Sequence, residues 1–129
     1  MNSGVKRHGI EKEVFGVWIL FTVRGRLDAQ TAPKLDKELL PEIEKRLDIV
    51  LDFSELEYIS SMGIRSIMQA IKKTYELNHR VAICGMRPAV KEVLFSARID
   101  ALLDVYDNLS DLPFASDIHT SRITGMQNS

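Results

Sequence analysis

The strongest constraint on the fold is an exchange between two hydrophobic periods: apolar runs of strand length alternate with segments whose apolar residues recur at helical spacing. Ile49-Val50-Leu51-Asp52-Phe53 is short, continuous and apolar, with a helical pattern on each side, and so reads as a central parallel strand. Val17 to Val23 is rich in β-branched and aromatic residues and ends at Arg24-Gly25, and Ile10 to Val14 with a turn at Phe15-Gly16 makes a hairpin with it. Thr31 is placed to cap the first helix, with Pro33 in its first turn and Leu35, Leu39, Ile43 and Leu47 on its core face; Pro41 must bend it or tighten its entry. Ser54-Glu55-Leu56-Glu57 reads as a turn. From Met62, the apolar Ile64, Ile67, Met68, Ile71 and Tyr75 mark the clearest amphipathic helix, with Arg65, Gln69, Lys72, Lys73 and Glu76 between them. Arg80 to Cys84 is the next strand, followed by a helix from Pro88 with Val90, Val93 and Leu94 inward. Leu103 to Tyr106 is a last strand, and a short helix follows from Ser110. The order implies one α/β domain, a central mixed sheet of four to five strands packed by about four helices, with right-handed crossovers.

Composition narrows the function. The 129 residues, 45% hydrophobic and 27% charged, supply one core and no second domain. The expected organisation is an N-terminal extension over residues 1–9, the domain over 10–118 and a polar tail over 119–129. A net charge of -1 provides no basic field for nucleic acid, and no apolar run approaches membrane-spanning length, so neither nucleic-acid binding nor membrane insertion is expected. The lone Cys84, within Val81-Ala82-Ile83-Cys84, reads as a small core side chain and fits the cytoplasm. No phosphate loop, dinucleotide fingerprint or nucleophile elbow is present. His8, His79 and His119 are scattered and read as solvated. Asp28 and Asp52 stand beside strand ends, where open sheets bind ligands, yet nothing supplies a base or a phosphate cradle. No catalysis and no cofactor are expected.

The informative junction is Leu56-Glu57-Tyr58-Ile59-Ser60-Ser61-Met62-Gly63-Ile64. A serine directly before an amphipathic helix is ordinarily an N-cap. Two adjacent serines followed by Gly63 also present an exposed hydroxyl beside free amides, where the helix dipole accommodates a phosphate. One residue can serve as both cap and phosphoacceptor.

Val50-Leu51-Asp52-Phe53-Ser54, Leu56 and Tyr58-Ile59-Ser60-Ser61-Met62-Gly63-Ile64 together resemble the signature of the STAS family, in which a strand and turn lead into Asp-Ser-Ser/Thr-Gly-Leu. Gly25-Arg26-Leu27-Asp28 with Thr31-Ala32 is similar to the family's Gly-x-Leu/Ile-Asp and the start of its first helix, and Pro88 to Leu94 to the helix after its fourth strand. Ser60 stands where the family has Asp, and Met62 where it has a second Ser or Thr. The resemblance implies an anti-sigma factor antagonist, monomeric when free, that binds an anti-sigma factor of the GHKL ATPase type. That partner phosphorylates the antagonist, and a PP2C-type phosphatase reverses the step. Carried onto this chain, the phosphoacceptor is Ser61, with Ser60 as second choice, and the partner surface comprises Asp28, Thr31, Ser60, Ser61, Met62, Gly63 and Arg65. Asp28 has a second role open to it as a turn residue, and Met62 as a core residue. The competing reading is a constitutive STAS adaptor of a signalling or lipid-transport complex, in which the serines are only caps.

Overall fold

The computed structural model describes residues 9–113. Strand β1 (Gly9–Phe15) turns through Gly16, at φ 63°, into β2 (Trp18–Leu27), as the hairpin reading expects. Helix α1 (Ala32–Glu44), β3 (Asp48–Asp52), β4 (Leu56–Ile59), α2 (Ser61–Glu76), β5 (Val81–Cys84), α3 (Pro88–Ser96) and β6 (Asp104–Tyr106) follow. The main sheet runs β1-β2-β3-β5-β6, antiparallel only at the β1–β2 hairpin, and β4 pairs in parallel with the far end of β2. Six strands stand where four to five are expected, because Leu56 begins a strand instead of closing the Ser54–Glu57 turn. Three α-helices are present among the described residues; Ile99–Ala101 and Leu109–Asp111 form single 3-10 turns, the second in place of the helix expected from Ser110.

Period-2 alternation sorts the core onto two faces of the sheet. Ile19, Phe21 and Val23 of β2, Ile49 and Leu51 of β3 and Val81 and Ile83 of β5 meet the buried faces of the helices, through Leu35, Leu39 and Ile43 of α1, Ile67 and Ala70 of α2, and Val90 and Leu94 of α3. The intervening Leu20, Val50, Ala82 and Cys84 pack on the other face with Phe15 and Leu112.

Four apolar positions depart from their expected places. Leu47 lies beyond the end of α1 and packs against the core from the loop. Met68, Tyr75 and Val93 are exposed. In α2 the buried residues are Gly63, Ser66, Ile67, Ala70 and Thr74, all small or polar except Ile67, and the helix packs most extensively against α1. The Thr74 hydroxyl donates to the Ala70 carbonyl at 2.7 Å, which satisfies it without a tertiary partner. His79 is half-buried, and its Nδ1 lies 3.2 Å from an Asp48 carboxylate oxygen, tying the end of α2 to the start of β3. Cys84 is fully buried in the core, as expected, and burial, with the Asp52 charge as a lesser cause, pushes its thiol pKa up to about 12. Of the extension expected over residues 1–9, Gly9 begins β1 and the rest, with His8, lies outside the described residues, as does the tail over 119–129 with His119.

Candidate functional site at the start of helix α2

The pairing of β4 with β2 creates the site. Arg26 stands opposite Tyr58 and Leu27 opposite Ile59, so the loop leaving β2 and the junction leaving β4 emerge side by side. The Ser60 amide then donates to the Leu27 carbonyl at 2.9 Å, fixing one loop to the other. Five of the expected site residues, Ser60, Ser61, Met62, Gly63 and Arg65, lie on the junction and first turns of α2, and Asp28 and Thr31 on the adjoining loop.

Ser60 occupies the N-cap position in extended conformation, at φ -102° and ψ 178°, and its carbonyl accepts the Ile64 amide at 3.0 Å. Its side chain caps nothing. The Ser60 hydroxyl oxygen is buried without a hydrogen-bond partner among the described residues, although buried hydroxyls are rarely left unpaired. Ser61 is the first helical residue and is exposed. The first turn of α2 holds no acidic side chain, so its positive end is uncompensated from within the helix. Met62 is exposed beside Ser61, which resolves its two readings against the core.

Gly63 is buried, and its role is a close approach. A Cβ there would lie 2.7 Å from the Leu27 carbonyl oxygen, so the helix start rests directly on the end of β2. Gly63 thus shapes the surface without presenting a group to a partner.

Asp28 organises its own loop. One carboxylate oxygen accepts the amides of Gln30 at 3.0 Å and Thr31 at 3.2 Å, and the other pairs with Arg26 at 3.3 Å. The Thr31 amide first, then the Gln30 amide and Arg26, hold the Asp28 carboxyl below the usual carboxylate range against a smaller opposing effect of desolvation. Thr31 does not cap α1 with its side chain; its hydroxyl instead donates to the Arg26 carbonyl at 2.7 Å, closing the loop from the other side.

Two surface residues of the site go unread in the sequence. The Arg26 guanidinium lies 4.2 Å from the centre of the Tyr58 ring, and both side chains are exposed next to the serines. Strand alternation over Leu56 to Ile59 was the available signal, and it is weak, because only the two ends are buried. Asp52 is not part of the site. It pairs with Thr22, five residues before Leu27 on β2, a separation of roughly 16 Å, and it accepts the Ser54 amide at 3.0 Å as a turn residue. Among the described residues no group of His, Cys, Asp and Glu is arranged to hold a metal ion, and no helix is long and apolar enough to cross a membrane.

Comparison with known families decides what this arrangement belongs to. The STAS domain profile matches residues 9–112. The chain belongs to the STAS domain family. The STAS domain is 29% identical over 76 residues to BtrV of Bordetella bronchiseptica, which covers 58% of this chain and 66% of that protein, just under two thirds of its length. Over 101 residues it is 25% identical to an anti-sigma F factor antagonist of Paenibacillus polymyxa, covering 77% of this chain and 86% of the relative. Solved structures of the anti-sigma factor antagonist SpoIIAA share the fold. The unphosphorylated form aligns with a TM-score of 0.65 at 14% identity, covering 88% of this chain and 98% of that one. The phosphorylated form, from Bacillus, aligns at 0.64 and 12% identity, covering 89% and 99%.

Proposed function

We propose that this STAS domain is an anti-sigma factor antagonist, a binding module that docks through the start of α2 and is released by phosphorylation of Ser61. The partner in this reading is an anti-sigma factor of the GHKL kinase type, and a PP2C-type phosphatase restores the binding form. The observation that carries it is the exposed Ser61 at the first position of α2 in a STAS domain whose relatives include a protein named as an anti-sigma factor antagonist. The buried hydroxyl of Ser60 favours Ser61 over its neighbour as the acceptor, since a kinase must reach the oxygen it modifies. The docking surface is Asp28, Thr31, Ser60, Ser61, Met62 and Arg65, framed by Arg26 and Tyr58, with Gly63 beneath it. Phosphate would add about -1.5 to -2 charges at its centre, and binding would fail by repulsion and desolvation.

The test is a binding series against a GHKL-type anti-sigma factor, read by calorimetry. Ser61→Ala should bind as the parent does, and Ser61→Asp should lose at least about tenfold in affinity, the equivalent of roughly 1.4 kcal/mol. Equal binding by the two variants sinks the reading. A constitutive adaptor is the alternative, favoured by Ser60 standing where the family has Asp. Mass spectrometry of the chain after incubation with ATP and the same partner separates the two, because an adaptor carries no phosphate on Ser61.

A further inference from the structure

Ser61 and Arg65 are four residues apart at the start of α2, and both are exposed. Residues at that spacing share a helix face, and a helical side chain leans back toward the N-terminus, so Arg65 is within reach of the turn that carries Ser61. The other arginines around this end of the fold are engaged. Arg24 pairs with Glu11 and Glu55, Arg26 with Asp28 and the Tyr58 ring, and Arg87 donates to the Ser54 carbonyl. The Arg65 side chain has no hydrogen bond, ion pair or ring contact among the described residues. No acidic residue in the first turn of α2 competes for it, and the nearest loop carboxylate, Asp28, is already held by Arg26 and two backbone amides.

We propose that a phosphate on Ser61 is held in cis by Arg65. The inference rests on Ser61 being the phosphoacceptor and specifies what the modification does there. A phosphate presents three strong acceptor oxygens, and a guanidinium offers a planar fork of donors that matches two of them. Phosphorylation would then act twice on the docking surface: it adds an anion at Ser61 and withdraws the cation of Arg65 from any partner carboxylate. Dephosphorylation returns both.

The pairing is tested on the full chain carrying phosphoserine at position 61, installed during synthesis so that no kinase is needed. Phosphorus NMR follows the second ionisation of the phosphate in the parent, in Arg65→Gln and in Lys72→Gln, an exposed cation about three turns beyond Ser61 on the same helix. The parent should titrate below about 6, and Arg65→Gln should titrate higher by about 0.3 to 0.5 unit at low salt. Lys72→Gln should match the parent, and the difference should shrink in roughly 1 M salt, where the Debye length is about 3 Å. An unchanged ionisation in Arg65→Gln, or an equal shift in Lys72→Gln, overturns the pairing. A wild-type chain that its kinase partner leaves unmodified overturns the reading beneath it while leaving the measured pairing intact.

Discussion

At Gly63 an added methyl would meet the Leu27 carbonyl oxygen at 2.7 Å, an Ile59 side-chain carbon at 2.8 Å and the Leu27 side chain at 2.9 Å. The carbonyl oxygen cannot swing away, because Leu27 is the last residue of β2 and its carbonyl also accepts the Ser60 amide, and both side chains are buried. Gly63→Ala would therefore lift α2 off the sheet. Overpacking of this kind costs about 1 to 3 kcal/mol, offset by up to about 1 kcal/mol of helix propensity. We expect a net loss of about 1 to 2 kcal/mol, read as a lower urea midpoint with an unchanged slope. A midpoint at or above the parent's would show that the contact with Leu27 carries no weight. Ser60 complements this glycine: its buried hydroxyl gives up a cap bond, yet its backbone makes both of the hydrogen bonds that seat the junction.

Among the elements, α1 holds the clearest local conflict. Pro41 is the tenth of thirteen residues in a helix that continues to Glu44, so the Lys37 carbonyl lacks its amide partner. Pro41→Ala restores that amide. An interior proline costs about 3 kcal/mol relative to alanine, and part of the gain is returned through a more flexible unfolded chain. The variant should be more stable by about 1 to 2 kcal/mol in thermal or urea unfolding, and a stability at or below the parent's would mean that Pro41 supplies packing the helix needs. The same helix shows what a sequence discloses. Leu35, Leu39 and Ile43 repeat every four residues and are all buried, because a strong apolar stripe leaves one orientation. In α2 the stripe is ambiguous: Ile67 is buried as the period requires, whereas Met68 and Tyr75 face outward, and the rest of the buried set is Gly63, Ser66, Ala70 and Thr74, which a search for large apolar residues passes over. Strand β4 was hidden for a different reason. Its four residues alternate poorly, and its pairing with β2 depends on a register shift after Gly25 that no local pattern announces. The site was legible as a motif, whereas the Arg26–Tyr58 contact that frames it arises only from that pairing.

At the scale of the whole molecule, the central strands β3 and β5 are buried on both faces of the sheet, and Cys84 lies on the face away from the helices, packed with Leu20, Val50 and Ala82. Its thiol, with pKa pushed up to about 12, carries almost no thiolate near neutral pH and is closed to reagents. A thiol-reactive dye should therefore label the native chain only as fast as the sheet opens, and labelling should accelerate in step with urea unfolding. Rapid labelling without denaturant would reveal a local route to this face. The tie between Leu27 and the start of α2 has a further implication. Both loops of the site inherit their positions from one carbonyl at the end of a central strand, so the surface is a fixed stage set by the most deeply buried part of the fold. A change made on that stage alters what is displayed and leaves the scenery standing. Under the proposed switch, the two states of Ser61 would differ to a partner in charge and contact alone, on one backbone that has no need to move.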